Sequence, residues 1–101
     1  SARLIIPTVR STADKGQPLP LRALLLAKEP CSSVTITFKP LGSSSMASST
    51  LQMSRIAREV WNISLPPQTG DFEYYAAAKC GPEEPVFPPG APTIMQSVVL
   101  H

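Results

Sequence analysis

The chain is short of the residues from which most catalytic and metal sites are built. Its one histidine, His101, stands at the last position, and its only cysteines are Cys31 and Cys80. A serine nucleophile therefore has no internal imidazole to serve as its base. Two thiols and a terminal imidazole also fall short of a four-ligand zinc site. No metal and no cofactor is expected. The apolar stretch over residues 23–27, which none exceeds, is far below the roughly 20 residues that span a bilayer, so no membrane span is expected. Lys and Arg number 9 against 7 Asp and Glu, and the cations are scattered without a run. That distribution argues against a nucleic-acid partner. The carboxylates offer two conceivable acid–base pairs, Glu83 with Glu84 and Asp71 with Glu73. A glycosidase pair must flank a cleft, and both pairs lie in or beside turns, so they read as solvated charges and no enzyme is expected.

Proline, by contrast, is abundant: there are 12 prolines and 5 glycines in 101 residues. Proline is excluded from helix interiors and from central strands, so this composition favours short strands joined by many turns. The length suits one hydrophobic core and is too short for two. Residues 1–101 are expected to form one domain, a module of a larger protein.

Period-two patterning is clearest in residues 70–80, GDFEYYAAAKC. After a Gly-Asp turn, Phe72, Tyr74, Ala76, Ala78 and Cys80 fall on one face and Glu73, Tyr75, Ala77 and Lys79 on the other. This is expected to be a central strand. Residues 32–40 alternate Val34, Ile36 and Phe38 with Thr35, Thr37 and Lys39, and β-branched residues suit a strand. Residues 18–28, PLPLRALLLAK, place Leu19, Leu21, Ala23 and Leu25 on one face, although Leu24 and Leu26 interrupt the polar one. Leu and Ala favour a helix there, but Pro18, Pro20 and Pro30 leave it little room, and a strand is expected.

The remaining segments are shorter. Residues 1–10 read as an edge strand split at Pro7, followed by a polar loop over 11–16. Residues 42–50, GSSSMASST, read as an exposed linker. Residues 51–56 fit a short edge strand, while the spacing of Leu51, Arg55 and Glu59 leaves a helix open over 51–60. Trp61, Ile63 and Leu65 share one face of a strand that ends at Pro66-Pro67. Residues 81–92 hold five prolines and predict a stiff, extended loop. Val98 and Leu100 alternate with Ser97 and Val99 in a last strand. Together these segments predict an all-β fold, a seven-stranded antiparallel β-sandwich.

An apolar second strand, TITFKPLG, an aromatic strand ending in Leu-Pro-Pro, and GDFEYYAAAK together resemble the immunoglobulin-like and fibronectin type III superfamily. With the proline-rich loop before SVVL, they are similar to Ig-like accessory modules that accompany bacterial polysaccharide-degrading enzymes. The likeness covers residues 16–100. It implies an Ig-like or fibronectin type III-like sandwich, exported to an extracellular or periplasmic location. The implied role is that of a non-catalytic accessory or spacer module of a carbohydrate-active protein, with neighbouring domains of that protein as partners. The alternative is a carbohydrate-binding module, in which Tyr75 with Thr35, Thr37 and Lys39 forms a contact face joined by Phe87 from the proline-rich loop.

One departure matters: an antibody-type domain carries a cysteine within its second strand, whereas Cys31 follows that strand here. In such a sandwich Cys31 and Cys80 fall at the same end, which implies a disulfide, with two separate thiols as the alternative. A bridge closing about fifty residues is worth roughly 4 kcal/mol in the chain-entropy model. The same fold family implies a tyrosine corner supplied by Tyr74 or Tyr75, with Tyr74 favoured by its phase on the Phe72 face, or else ordinary aromatic core packing. Trp61 is expected in the core. Asn62-Ile63-Ser64 is a glycosylation sequon in a eukaryotic secretory host only, and a strand position disfavours its use.

Overall fold

The computed structural model describes all 101 residues. Alternating burial turns the sequence into ten strands: β1 (Arg3–Ile5), β2 (Thr12–Ala13), β3 (Leu19–Leu26), β4 (Cys31–Pro40), β5 (Ser49–Gln52), β6 (Ser54–Ala57), β7 (Val60–Leu65), β8 (Phe72–Cys80), β9 (Val86–Phe87) and β10 (Gln96–Leu100). A single 3-10 turn, Ser45–Ala47, is the helical content. The strands form two sheets. One has the order β1-β3-β7-β6; the other runs β2-β10-β8-β4-β5, with β9 added beside β8.

The two sheets share one core, and every buried residue in it is apolar. Leu19, Leu21, Ala23, Leu25, Trp61 and Leu65 enter from the first sheet, and Val34, Ile36, Phe38, Phe72, Tyr74, Ala76, Ala78 and Val98 from the second. Burying each large side chain is worth about 1.5–3 kcal/mol, so the alternation holds the layers together. Residues 51–60 are not helical; pairing with β4 and β7 draws 51–52 and 54–57 into strands, and 58–59 form the turn into β7.

The expected seven strands become ten because the 51–56 segment divides and two short strands, β2 and β9, form in stretches read as loops. The N-terminal segment breaks around Pro7: β1 pairs with β3 in one sheet, and β2 pairs with β10 in the other. The β2 pairing lies at Thr12–Ala13, inside the stretch read as a loop over 11–16, and it is parallel, so the molecule is not wholly antiparallel. The 51–56 segment divides at Met53, whose buried side chain turns into the core while its N–H donates to the Val34 carbonyl at 2.8 Å. Beyond Met53 the chain leaves β4 and joins the opposite sheet through β6 and β7. Finally, β9 forms within the proline-rich stretch, in register with Ala76 and Ala77 of β8.

Cys31 and Cys80 are joined in a disulfide. They stand opposite each other at the start of β4 and the end of β8, so the bridge cross-links neighbouring strands of a single sheet. A register shift between Cys31 and Ser33 kinks β4 beside it. Next to the bridge, Cys80 and Glu83 exchange backbone hydrogen bonds at 2.9 and 3.1 Å, which turns the chain toward β9.

Candidate functional site

The expected contact residues lie on β4 and β8, whose register sets most of them side by side. Thr37 stands opposite Tyr75, Thr35 opposite Ala77 and Lys39 opposite Glu73. On the far side of β4, Thr50 stands opposite Thr37 and Gln52 opposite Thr35. Thr35, Thr37, Lys39 and Tyr75 therefore share one outward face, partly buried by their neighbours.

Hydrogen bonds consume much of this face's polar capacity. The Thr37 and Thr50 hydroxyls bond to each other at 3.0 Å, and the Thr35 hydroxyl donates to the Ala77 carbonyl at 3.4 Å. The Lys39 ammonium donates to the Glu73 carboxylate at 2.8 Å and to the Ser43 carbonyl at 2.6 Å. Gly42 N–H donates to the same Glu73 oxygen at 3.1 Å. Hydrogen bonding from Lys39, then from Gly42, holds the Glu73 carboxyl below the usual carboxylate range. Lys39 thus clamps the start of the serine-rich segment and is not a free donor. What remains open is the Tyr75 ring beside hydroxyls, an arrangement suited to the face of a sugar ring.

Phe87 does not join this face. It is in register with Ala76, an inward residue, and packs against the core, while Val86 opposite Ala77 takes the outward position. A two-residue strand is too short for its phase to be read from sequence, which is why its placement in an exposed loop fails.

Three of the four carboxylates weighed for acid–base chemistry, Asp71, Glu73 and Glu83, accept backbone N–H groups. Asp71 accepts the Leu100 N–H at 2.8 Å, and Glu83 accepts the Ala2 N–H at 2.8 Å. Both tie the terminal strands to the body of the sandwich. No three His, Cys, Asp or Glu side chains come together as metal ligands. No helix is long and apolar enough to cross a membrane. Tyr74 lies fully inside the core with its hydroxyl unpartnered, so its phase is as expected but no tyrosine-corner hydrogen bond forms. Burial pushes its phenol up to about 12.

The outward face of the other sheet differs in kind, and periodicity alone gave little sign of it beyond Leu24 and Leu26. Ile5, Leu24, Val60 and Ala57 stand opposite one another in turn, an apolar row that crosses all four strands. Leu26 and Ile56 extend it, 41% and 50% exposed. Arg3, opposite Leu26, lies on one side of the row, and Arg22, opposite Asn62, on the other. None of the outward positions on these four strands is a carboxylate.

At the disulfide end a cleft of about 250 Å³ opens between Lys28 and Glu29 of the β3–β4 turn, Arg55 of β6 and Arg58 of the β6–β7 turn, with Trp61 in its wall. Trp61 is only 8% exposed and, as expected, belongs to the core. Set against known protein families and curated proteins, the sequence matches none.

Proposed function

We propose that this chain is a non-catalytic, Ig-like accessory module of an exported carbohydrate-active protein, one that spaces or packs against neighbouring domains. The observation that carries the reading is the strand order. The N-terminal segment is shared between the two sheets, and β1-β3-β7-β6 faces β2-β10-β8-β4-β5, an arrangement in keeping with an immunoglobulin-like sandwich. The sequence likeness over residues 16–100 supports the carbohydrate-active context. The disulfide supports an oxidising location, because such bridges persist outside the reducing cytosol.

A second reading, carbohydrate binding through the β4–β8 face, is favoured by the Tyr75 ring lying beside the Thr37–Thr50 hydroxyl pair. Commitment of Lys39 to Glu73 and of Phe87 to the core weighs against it. Affinity electrophoresis in a panel of neutral and acidic polysaccharides separates the two. The accessory reading expects no retardation of the wild-type chain and no change in Tyr75→Ala. Retardation that Tyr75→Ala abolishes, by about tenfold or more in affinity, would replace it with the binding reading.

A further inference from the structure

We infer that the outward face of the β1-β3-β7-β6 sheet is the surface on which a neighbouring domain of the same polypeptide docks. The inferred partner surface is apolar at its centre and carries carboxylates at its rim. The inference rests on the accessory reading and adds to it which face is used and by what kind of surface.

Three observations converge. The Ile5–Leu24–Val60–Ala57 row is unbroken across four strands, and Leu26 and Ile56 add exposed apolar surface beside it. An outward sheet face that meets only water alternates apolar-in with polar-out, as β4 does, so this row departs from what the fold itself requires. Arg3 and Arg22 bracket the row without an acidic residue on the face, which suits a carboxylate rim. The same charges disfavour a second copy of the chain, because a two-fold contact would bring like charges together.

Size decides between a free partner and a tethered one. Strands of 3, 8, 6 and 4 residues, about 4.8 Å apart and rising roughly 3.3 Å per residue, present roughly 330 Å². That is under half of the roughly 800 Å² per partner of a stable complex between separate proteins. It lies within the range of interfaces between domains of one chain, about 300–750 Å² per side. Tethering supplies the effective concentration that a small interface lacks.

Hydroxyl-radical footprinting read by mass spectrometry tests this, applied to the whole polypeptide encoded by the gene and to the 101-residue chain alone. Labelling of Leu26 and Ile56 is expected to fall about fivefold or more in the whole polypeptide, with Tyr75 unchanged. Ile36 and Leu65, low in both, report that the fold is intact. Leu26→Glu in the whole polypeptide is expected to restore Ile56 labelling. Equal labelling of Leu26 and Ile56 in both proteins would overturn the inference and leave the accessory reading standing. So would protection that falls on Tyr75 instead, or protection of the isolated chain that grows with its concentration. A gene that encodes no second folded domain would overturn both.

Discussion

Strands β3 and β4 follow one another in the chain and hide alternate residues in the same core, yet their outward residues have little in common. Along β4, outward Thr35, Thr37 and Lys39 are each engaged in a side-chain hydrogen bond; the outward positions of β3 are Pro20, Arg22, Leu24 and Leu26, with no side-chain hydrogen bond among them. The core dictates only every second residue of a strand. The other half is free to match what lies outside, so a difference between outward faces reports a difference in surroundings. One face is finished by its own hydrogen bonds, and the other is left apolar.

The largest effect expected on this comparison comes from the bridge, which strengthens only the β4–β8 sheet. Cys31→Ala with Cys80→Ala should lower stability by about 4 kcal/mol in urea unfolding and leave the two sheets nearer in strength. A change below about 1 kcal/mol would mean that packing and the β4–β8 ladder hold the sheet without help from the bridge.

Tyr74 comes next. Its unpaired hydroxyl makes Tyr74→Phe an expected gain of about 1 kcal/mol, since the phenyl ring keeps the packing and removes a buried polar group. The same residue sets an alkaline limit. The native state holds the proton to about pH 12 while the unfolded chain loses it near pH 10, so stability should decline as pH rises through that window. In Tyr74→Phe that part of the decline should vanish. A wild-type unfolding midpoint that stays constant from pH 9 to 12 would contradict the burial of the hydroxyl.

A smaller effect belongs to the Lys39–Glu73 pair, partly buried at 13% and 17% side-chain exposure. Because the Glu73 carboxyl is held low, its contribution is complete at neutral pH and is lost as pH falls below about 4. Glu73→Gln should cost about 0.5 kcal/mol at pH 7 and flatten that part of the acid limb. An acid limb of unchanged shape in the variant would show that the polar face is not tied down as drawn. The smallest effect is expected at Leu26→Ser, within about 0.5 kcal/mol in the isolated chain, because Leu26 is not part of its buried core.

How much of this was legible depended on strand length. Over β4 and β8, nine or ten residues of alternation placed every inward side chain and set Tyr74 and Tyr75 on opposite faces. Over β2 and β9, two residues each, no period exists, so a parallel pairing at Thr12 and the inward turn of Phe87 went unread. Met53 was missed for another reason: in sequence it continues a strand, and only the gain from burying it between the layers explains why the strand breaks there. The interruption of β3 by Leu24 and Leu26 was visible, but its meaning needed the register, which aligns Leu24 with Ile5 and Val60 from segments 19 and 36 residues away.

The bridge also changes what a protease can do to this chain. The serine-rich segment around Met46, 94% exposed, lies between the two cysteines. A cut there, at the kind of loop tip where nicking concentrates, opens the backbone but releases nothing, because the disulfide and the β4–β8 ladder still join the two pieces. On a denaturing gel the nicked molecule runs as one species until a reductant is added and as two fragments afterwards. A chain built this way can lose a peptide bond and keep both of its faces.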